Sequence, residues 1–230
     1  MHKDSALLME DLALIEKRAQ ETRAVQSTIL PTWEFADWPL TAMDTDRAAY
    51  DVQKGLADDA DSDASGARGS RNGELDTLHE WTKGVVAGGK DHFHGDPGNA
   101  ARFANLTAGS DTIGGRLKEA EKAITAWENS DAAWKPSDAI TLTAFKAKYD
   151  LCKLLDKSAD KAGSDASAAH KVKNVLANGL WVHCVAWYNL ATSLYGPTTE
   201  VGALVRAQIT VSSDGAPAPV VTPPAPDPPA

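Results

Sequence analysis

A chain of 230 residues with 43% hydrophobic and 24% charged residues lies in the ordinary globular range and has room for one sizeable domain or two small ones. Its net charge of −9, from 32 acidic against 23 basic residues, argues against a general nucleic-acid binder and against docking onto anionic membrane surfaces, both of which need a positive face. No run approaches the ~18 apolar residues of a membrane span, and Met1-His2-Lys3-Asp4-Ser5 lacks the layout of a signal peptide, so the default expectation is a cytoplasmic protein, with non-classical export left open.

Leu8, Leu12, Ile15, Ala19 and Val25 recur at helical spacing and predict a first helix from about Ser5 to Leu30, ended by Pro31. A linker with Trp33, Phe35, Trp38 and Pro39 follows. Thr41 or Asp44 then caps a second helix that runs through Val52, Leu56, Ala60 and Ala64 to about Ser65. Gly66, Gly69 and Ser70 read as a turn into a third helix over about Glu74 to Lys90.

The same order returns downstream. The pattern predicts a helix from Ile113 to Glu128, a linker holding Trp127 and Trp134, and a helix capped by Ser137 or Asp138 with Phe145, Tyr149, Cys152, Leu155 and Ala159 along one stripe. Gly163-Ser164-Asp165 reads as a turn before a last long helix through Val172, Leu176, Leu180, Cys184, Trp187, Ala191 and Leu194. A short segment closes each copy, and Ala207 to Val211 reads as an extended exit.

Local matches point to a tandem duplication. Trp33-Glu34 returns as Trp127-Glu128, Trp38 as Trp134, Tyr50-Asp51 as Tyr149-Asp150 and Ser62-Asp63 as Ser164-Asp165, with offsets growing through 94, 96, 99 and 102. The expected fold is all-α: two tandem three-helix units, residues 1–106 and 107–211, about six main helices in a pseudo-two-fold bundle or array. Beyond Ser212 the composition changes, and seven of the twelve prolines lie between Pro217 and Pro229. Residues 212–230 therefore read as a disordered, proline-rich tail: a spacer, a recognition segment or a linker left by loss of a following domain.

Few residues carry chemistry. Asp91, His92, His94 and Asp96 are the one cluster of metal-type ligands; they suit zinc, copper or nickel, but fit a polar helix end followed by a turn better. His183 and Cys184 are adjacent on a helix, project about 100° apart and fit a packed surface better than a thiolate pair. The thiols Cys152 and Cys184 read as free and buried, with a bridge left open. Asp58, Asp59, Asp61 and Asp63 lack the glycine and glutamate of a calcium loop and read as a solvated helix face. Gly84, Gly88 and Gly89 have no phosphate-loop partners and mark a loosened helix or a close helix–helix contact. Trp33, Trp38, Trp127 and Trp134 either plug each bundle or form a contact surface.

Trp38-Pro39-Leu40-Thr41, Ala147-Lys148-Tyr149-Asp150 and Tyr195-Gly196-Pro197-Thr198 resemble segments of uncharacterised tandem-duplicated helical proteins of environmental bacteria, some of which carry a following fibronectin-type domain. The resemblance spans most of residues 33–211; here a proline-rich segment stands in place of the β domain and the first copy is rich in glycine. It implies a helical fold and no activity. The expectation is therefore a non-enzymatic structural or protein-interaction scaffold, with self-association through helical faces and no cofactor. The alternative is a metal- or small-ligand-binding bundle using Asp91, His92, His94 and Asp96.

Overall fold

The computed structural model describes residues 8–30, 32–196 and 198–209. They form six helices: α1 (Leu12–Ile29), α2 (Leu40–His92), α3 (Pro97–Ala104), α4 (Ile113–Glu128), α5 (Leu142–Leu194) and α6 (Glu200–Ile209). The protein is all-α. No helix among the described residues is long and apolar enough to cross a membrane.

Local chemistry explains most boundaries. The Asp11 carboxylate accepts from the Ala13 and Leu14 amides, so α1 starts there and not at Ser5. Thr112 caps α4 through the Gly115 amide, and α4 spans the predicted residues. The start of α5 is set by Thr141, whose hydroxyl accepts from the Ala144 amide, instead of Ser137 or Asp138. At α2 neither Thr41 nor Asp44 is the cap; both lie inside the helix, and the Glu34 carboxylate takes the Leu40 amide at 2.7 Å.

The predicted turns at Gly66–Ser70 and Gly163–Asp165 are absent: α2 and α5 each continue through them as single helices of 53 residues. Glycine weakens a helix by about 1 kcal/mol relative to alanine, which does not break one held on both sides by packing. Burial resumes beyond these stretches, at Leu75 and Leu78 in α2 and without a break in its seven-residue spacing at Ala166 in α5. Met43, Tyr50, Ala57 and Ala64 are buried in α2, as are Phe145, Cys152, Ala159 and Ala166 in α5. Helix α6 continues through Ala207 to Ile209 in place of the extended exit, while residues 210 and 211 and the proline-rich segment lie outside the described residues.

The compact units cut across the expected segments 1–106 and 107–211. Unit 1 joins the residues up to Asp58 with those from Ser167 onward, and unit 2 is Asp59–Ala166. Unit 1 packs α1, the first part of α2, the last part of α5 and α6 around Ile15, Trp38, Met43, Leu180 and Trp187. Unit 2 packs the rest of α2 and α5 with α3 and α4 around Leu78, Phe103, Trp127 and Phe145.

Burial sets one register between the long helices. At an offset of 102, Met43 matches Phe145, Tyr50 matches Cys152, Leu78 matches Leu180, Thr82 matches Cys184 and Val85 matches Trp187, every one of them buried. Of the four sequence matches only Ser62-Asp63 with Ser164-Asp165 keeps that register. Tyr149 is not the counterpart of Tyr50, and Trp127 is a residue of the last turn of α4, not of a linker.

Candidate interaction surface

The four tryptophans singled out in the sequence serve the two cores. Trp38 is 1% exposed and Trp127 is fully buried. The Trp38 indole donates to Asp46 at 2.8 Å, and its ring lies 5.2 Å from His183. Trp127 donates to the Trp134 carbonyl at 3.0 Å and meets Phe145 at 6.1 Å between ring centres. Trp33 and Trp134 are half-buried: Trp33 lies 6.0 Å from Trp187 and 5.9 Å from Tyr195, Trp134 within 5.5 Å of Phe93. These contacts are those of a plug. Two indoles withdrawn from solvent offer no surface to a partner.

The ligand quartet is dispersed into local tasks. Asp96 caps α3, accepting from the Gly98 and Asn99 amides at 3.0 and 3.2 Å. The His94 ring nitrogen Nδ1 pairs with the Asp91 carbonyl at 2.7 Å. His92 ends α2 and stacks on Trp134 at 5.4 Å and 20°. Because α2 stops at His92, the two imidazoles fall on either side of a helix end. Among the described residues no group of three or more His, Cys, Asp or Glu side chains is arranged to hold a metal.

Nucleophiles are equally withdrawn. Cys152 and Cys184 are free and buried, one in each core, and burial pushes both thiols up to about 11. His183 turns away from Cys184, with Nδ1 facing Asp46 at 3.4 Å. Asp58, Asp59, Asp61 and Asp63 lie on the exposed side of α2. Gly89 marks a close helix–helix contact, since a Cβ there would sit 2.4 Å from the Phe103 ring of α3.

One exposed face stands out. From Asn174 to Thr199 the chain has no Asp, Glu, Lys or Arg, although a quarter of the molecule is charged. Ala177, Leu180, Cys184, Trp187 and Ala191 turn this part of α5 into the unit 1 core. Its other side presents Val172, Val175, Val182, Leu190 and Leu194, between 39% and 56% exposed, with exposed Gly179 and Ala186 among them. Positions 172, 175, 179, 182 and 186 alternate spacings of three and four, the 3.5-residue period of a coiled-coil seam.

The fold does not require this chemistry. At the offset of 102, the counterparts of Val172, Val175, Gly179 and Val182 in α2 are Ser70, Gly73, Thr77 and Glu80. The same helical position is polar in one long helix and apolar in the other. The sequence pattern put Val172 and Leu194 on one stripe with Leu180 and Trp187; the missing charges are the signal that separates the outer face from the inner one. No protein-family model matches the chain, and no curated protein or solved structure matches it.

Proposed function

We propose that the chain is a non-enzymatic helical scaffold that associates with its own copies along the outer face of α5. The observation that supports this reading is the uncharged seam from Val172 to Leu194, set against its polar counterpart in α2. A heptad-spaced face of valine, glycine and alanine complements itself, as an isologous contact requires. Every copy carries a net charge of −9, so two copies approach with least repulsion where neither bears charge.

Size sets the strength. The seam is roughly 33 Å long at ~1.5 Å per residue, and one helix face about 10 Å wide covers a few hundred Å² per copy. That is below the ~800 Å² per partner of a stable standard interface. The association is therefore weak and concentration-dependent.

Sedimentation velocity over a range of concentrations tests it. The wild type is expected to shift toward a dimer or larger species at the upper end, and Val175→Lys with Val182→Lys to remain monomeric with an unchanged helical spectrum. A wild type that stays monomeric at ~1 mM overturns the reading. A monomer carrying stoichiometric metal moves the function to the ligand-binding alternative.

A further inference from the structure

We propose that a groove between α3 and α4 in unit 2 binds an acidic segment of a partner protein. The groove has a volume of about 470 Å³ and is lined by Arg102 and Leu106 on one side and by Lys118, Glu121, Lys122 and Thr125 on the other. Three cations thus face one carboxylate on a molecule whose net charge is −9. Lys118 and Lys122 stand one helical turn apart, where like charges repel.

The cations are unspent. Among the described residues none of Arg102, Lys118 and Lys122 takes part in an ion pair, a hydrogen bond or a cation–π contact. Neighbouring basic residues are committed: Arg116 pairs with Asp76, Lys146 with Glu128 and Lys148 with Glu74. Glu119, the carboxylate next to Lys118 in sequence, is withheld by the α3–α4 loop. It accepts from Thr107, Gly109 and Ser110 at 3.1 to 3.2 Å. Lys90 donates to the Leu106 carbonyl at 3.0 Å, which fixes the apolar floor of the groove.

The form of the groove selects the ligand. A small-molecule site encloses most of its ligand, but here Arg102, Lys118 and Lys122 are all exposed. An extended peptide suits an open trough. Lys118 and Lys122 are separated by about 6 Å along the helix, and side chains two apart on an extended strand recur every ~6.6 Å. A Glu-x-Glu or Asp-x-Asp segment therefore sets successive carboxylates against successive ammonium groups. Arg102 is left to meet a third. At physiological salt, screening over ~8 Å keeps the distant acidic surface from cancelling this local field.

The test uses the full chain and a fluorescein-labelled peptide of five Glu-Ala repeats, read by anisotropy. Saturable binding is expected at low salt, weakening steeply as salt rises. Lys118→Gln with Lys122→Gln should weaken it about tenfold or more, the scale of a charge-assisted contact. Lys153→Gln with Lys157→Gln, an exposed pair at the same spacing on α5, should leave it unchanged. Equal loss in both double variants, or no binding to the wild type, overturns the proposal. So does competition by inorganic phosphate or citrate at the peptide's own affinity, which would mark a small-anion site. Neither outcome depends on the mass of the protein, so this proposal and self-association along α5 fail separately.

Discussion

The indole nitrogen of Trp187 donates to the side-chain carbonyl of Gln26 across 2.7 Å, with both residues fully buried. The Gln26 amide nitrogen donates onward to the Trp33 carbonyl, also at 2.7 Å, so one glutamine ties α5 to α1 and to the loop after it. Unit 2 reaches the same end with the parts exchanged. At an offset of 101, where buried Ala19, Thr22 and Val25 match buried Ala120, Ala123 and Ala126, Trp127 holds the α4 position that Gln26 holds in α1, bonds the Trp134 carbonyl seven residues on, and α2 supplies Val85 where α5 has Trp187. Each core receives one tryptophan at this level, from opposite helices.

This exchange predicts a coupling. Gln26→Leu strands a buried indole N–H and is expected to cost about 1–3 kcal/mol. Trp187→Val opens a cavity and should cost about 3–5 kcal/mol. The double variant Gln26→Trp with Trp187→Val installs the unit 2 arrangement and should be less destabilised than the sum of its own single variants, Gln26→Trp and Trp187→Val. Urea unfolding followed by circular dichroism gives the values for all four variants, and strict additivity in the Gln26→Trp, Trp187→Val cycle would refute the correspondence.

Gly66, Gly69 and Gly73 lie in the middle of α2 with open space where a Cβ would stand. Replacing each with alanine removes backbone freedom from the unfolded chain and should stabilise by roughly 0.5–1 kcal/mol apiece. The triple variant should melt several degrees higher. A fall in melting temperature would mean that the segment is not the uninterrupted helix described above.

Gly89 should behave in the opposite way. Its missing Cβ leaves room for the Phe103 ring, which is buried and stacked on Phe93 at 5.5 Å and 15°, and so has nowhere to retreat. Gly89→Ala gains about 1 kcal/mol of helix propensity but meets overpacking of about 1–3 kcal/mol, so a net loss is expected. Adding Phe103→Leu should recover part of it. If Gly89→Ala alone raises the melting temperature, the close approach of α3 to α2 is wrong.

The thiols give a pH signature. Burial raises Cys152 and Cys184 from an ordinary 9.0 to about 11, so the folded state holds them protonated where the unfolded state begins to ionise. Their contribution to stability is complete below about pH 9 and is lost as pH rises toward 11. Burial and the Glu16 hydrogen bond raise Tyr50 from 10.0 and add a loss of the same sign. At the acid end the Lys54 ammonium bonded to Glu16 lowers that carboxyl below 4.5, so its contribution disappears as pH falls through the folded value. A thiol reagent at pH 8 should label neither cysteine in the native protein and both in urea. Rapid labelling of the native state would contradict the buried placement.

Much of the helical content was legible in residue order. Apolar spacing delimits α4, and Pro31 follows the end of α1 by two residues. The glycine-rich stretches misled because local propensity is weak beside packing: the buried seven-residue spacing through Ala57 and Ala64, with Leu75 and Leu78 beyond the glycines, carries α2 across them. The division into units was not legible at all. Sequence similarity groups neighbouring residues, whereas Trp187 packs with Ile15 and Trp38 from the far side of the chain. The quartet Asp91, His92, His94 and Asp96 looked like ligands because residue type does not reveal that Asp96 is already capping α3.

The chain order of the two units imposes a schedule on synthesis. Unit 2 is one continuous stretch, Asp59–Ala166, and all its partners have been synthesised once that stretch is made. Unit 1 needs Ile15 and Trp38 from near the start together with Trp187 and Val205 from near the end. Closing so long a loop is slow, and the early helix carries exposed apolar side chains until its partner arrives. Unit 2 is therefore complete before unit 1 can be. The segment from α1 to Asp58 is a waiting segment, open to premature pairing with other chains for as long as translation of α5 takes.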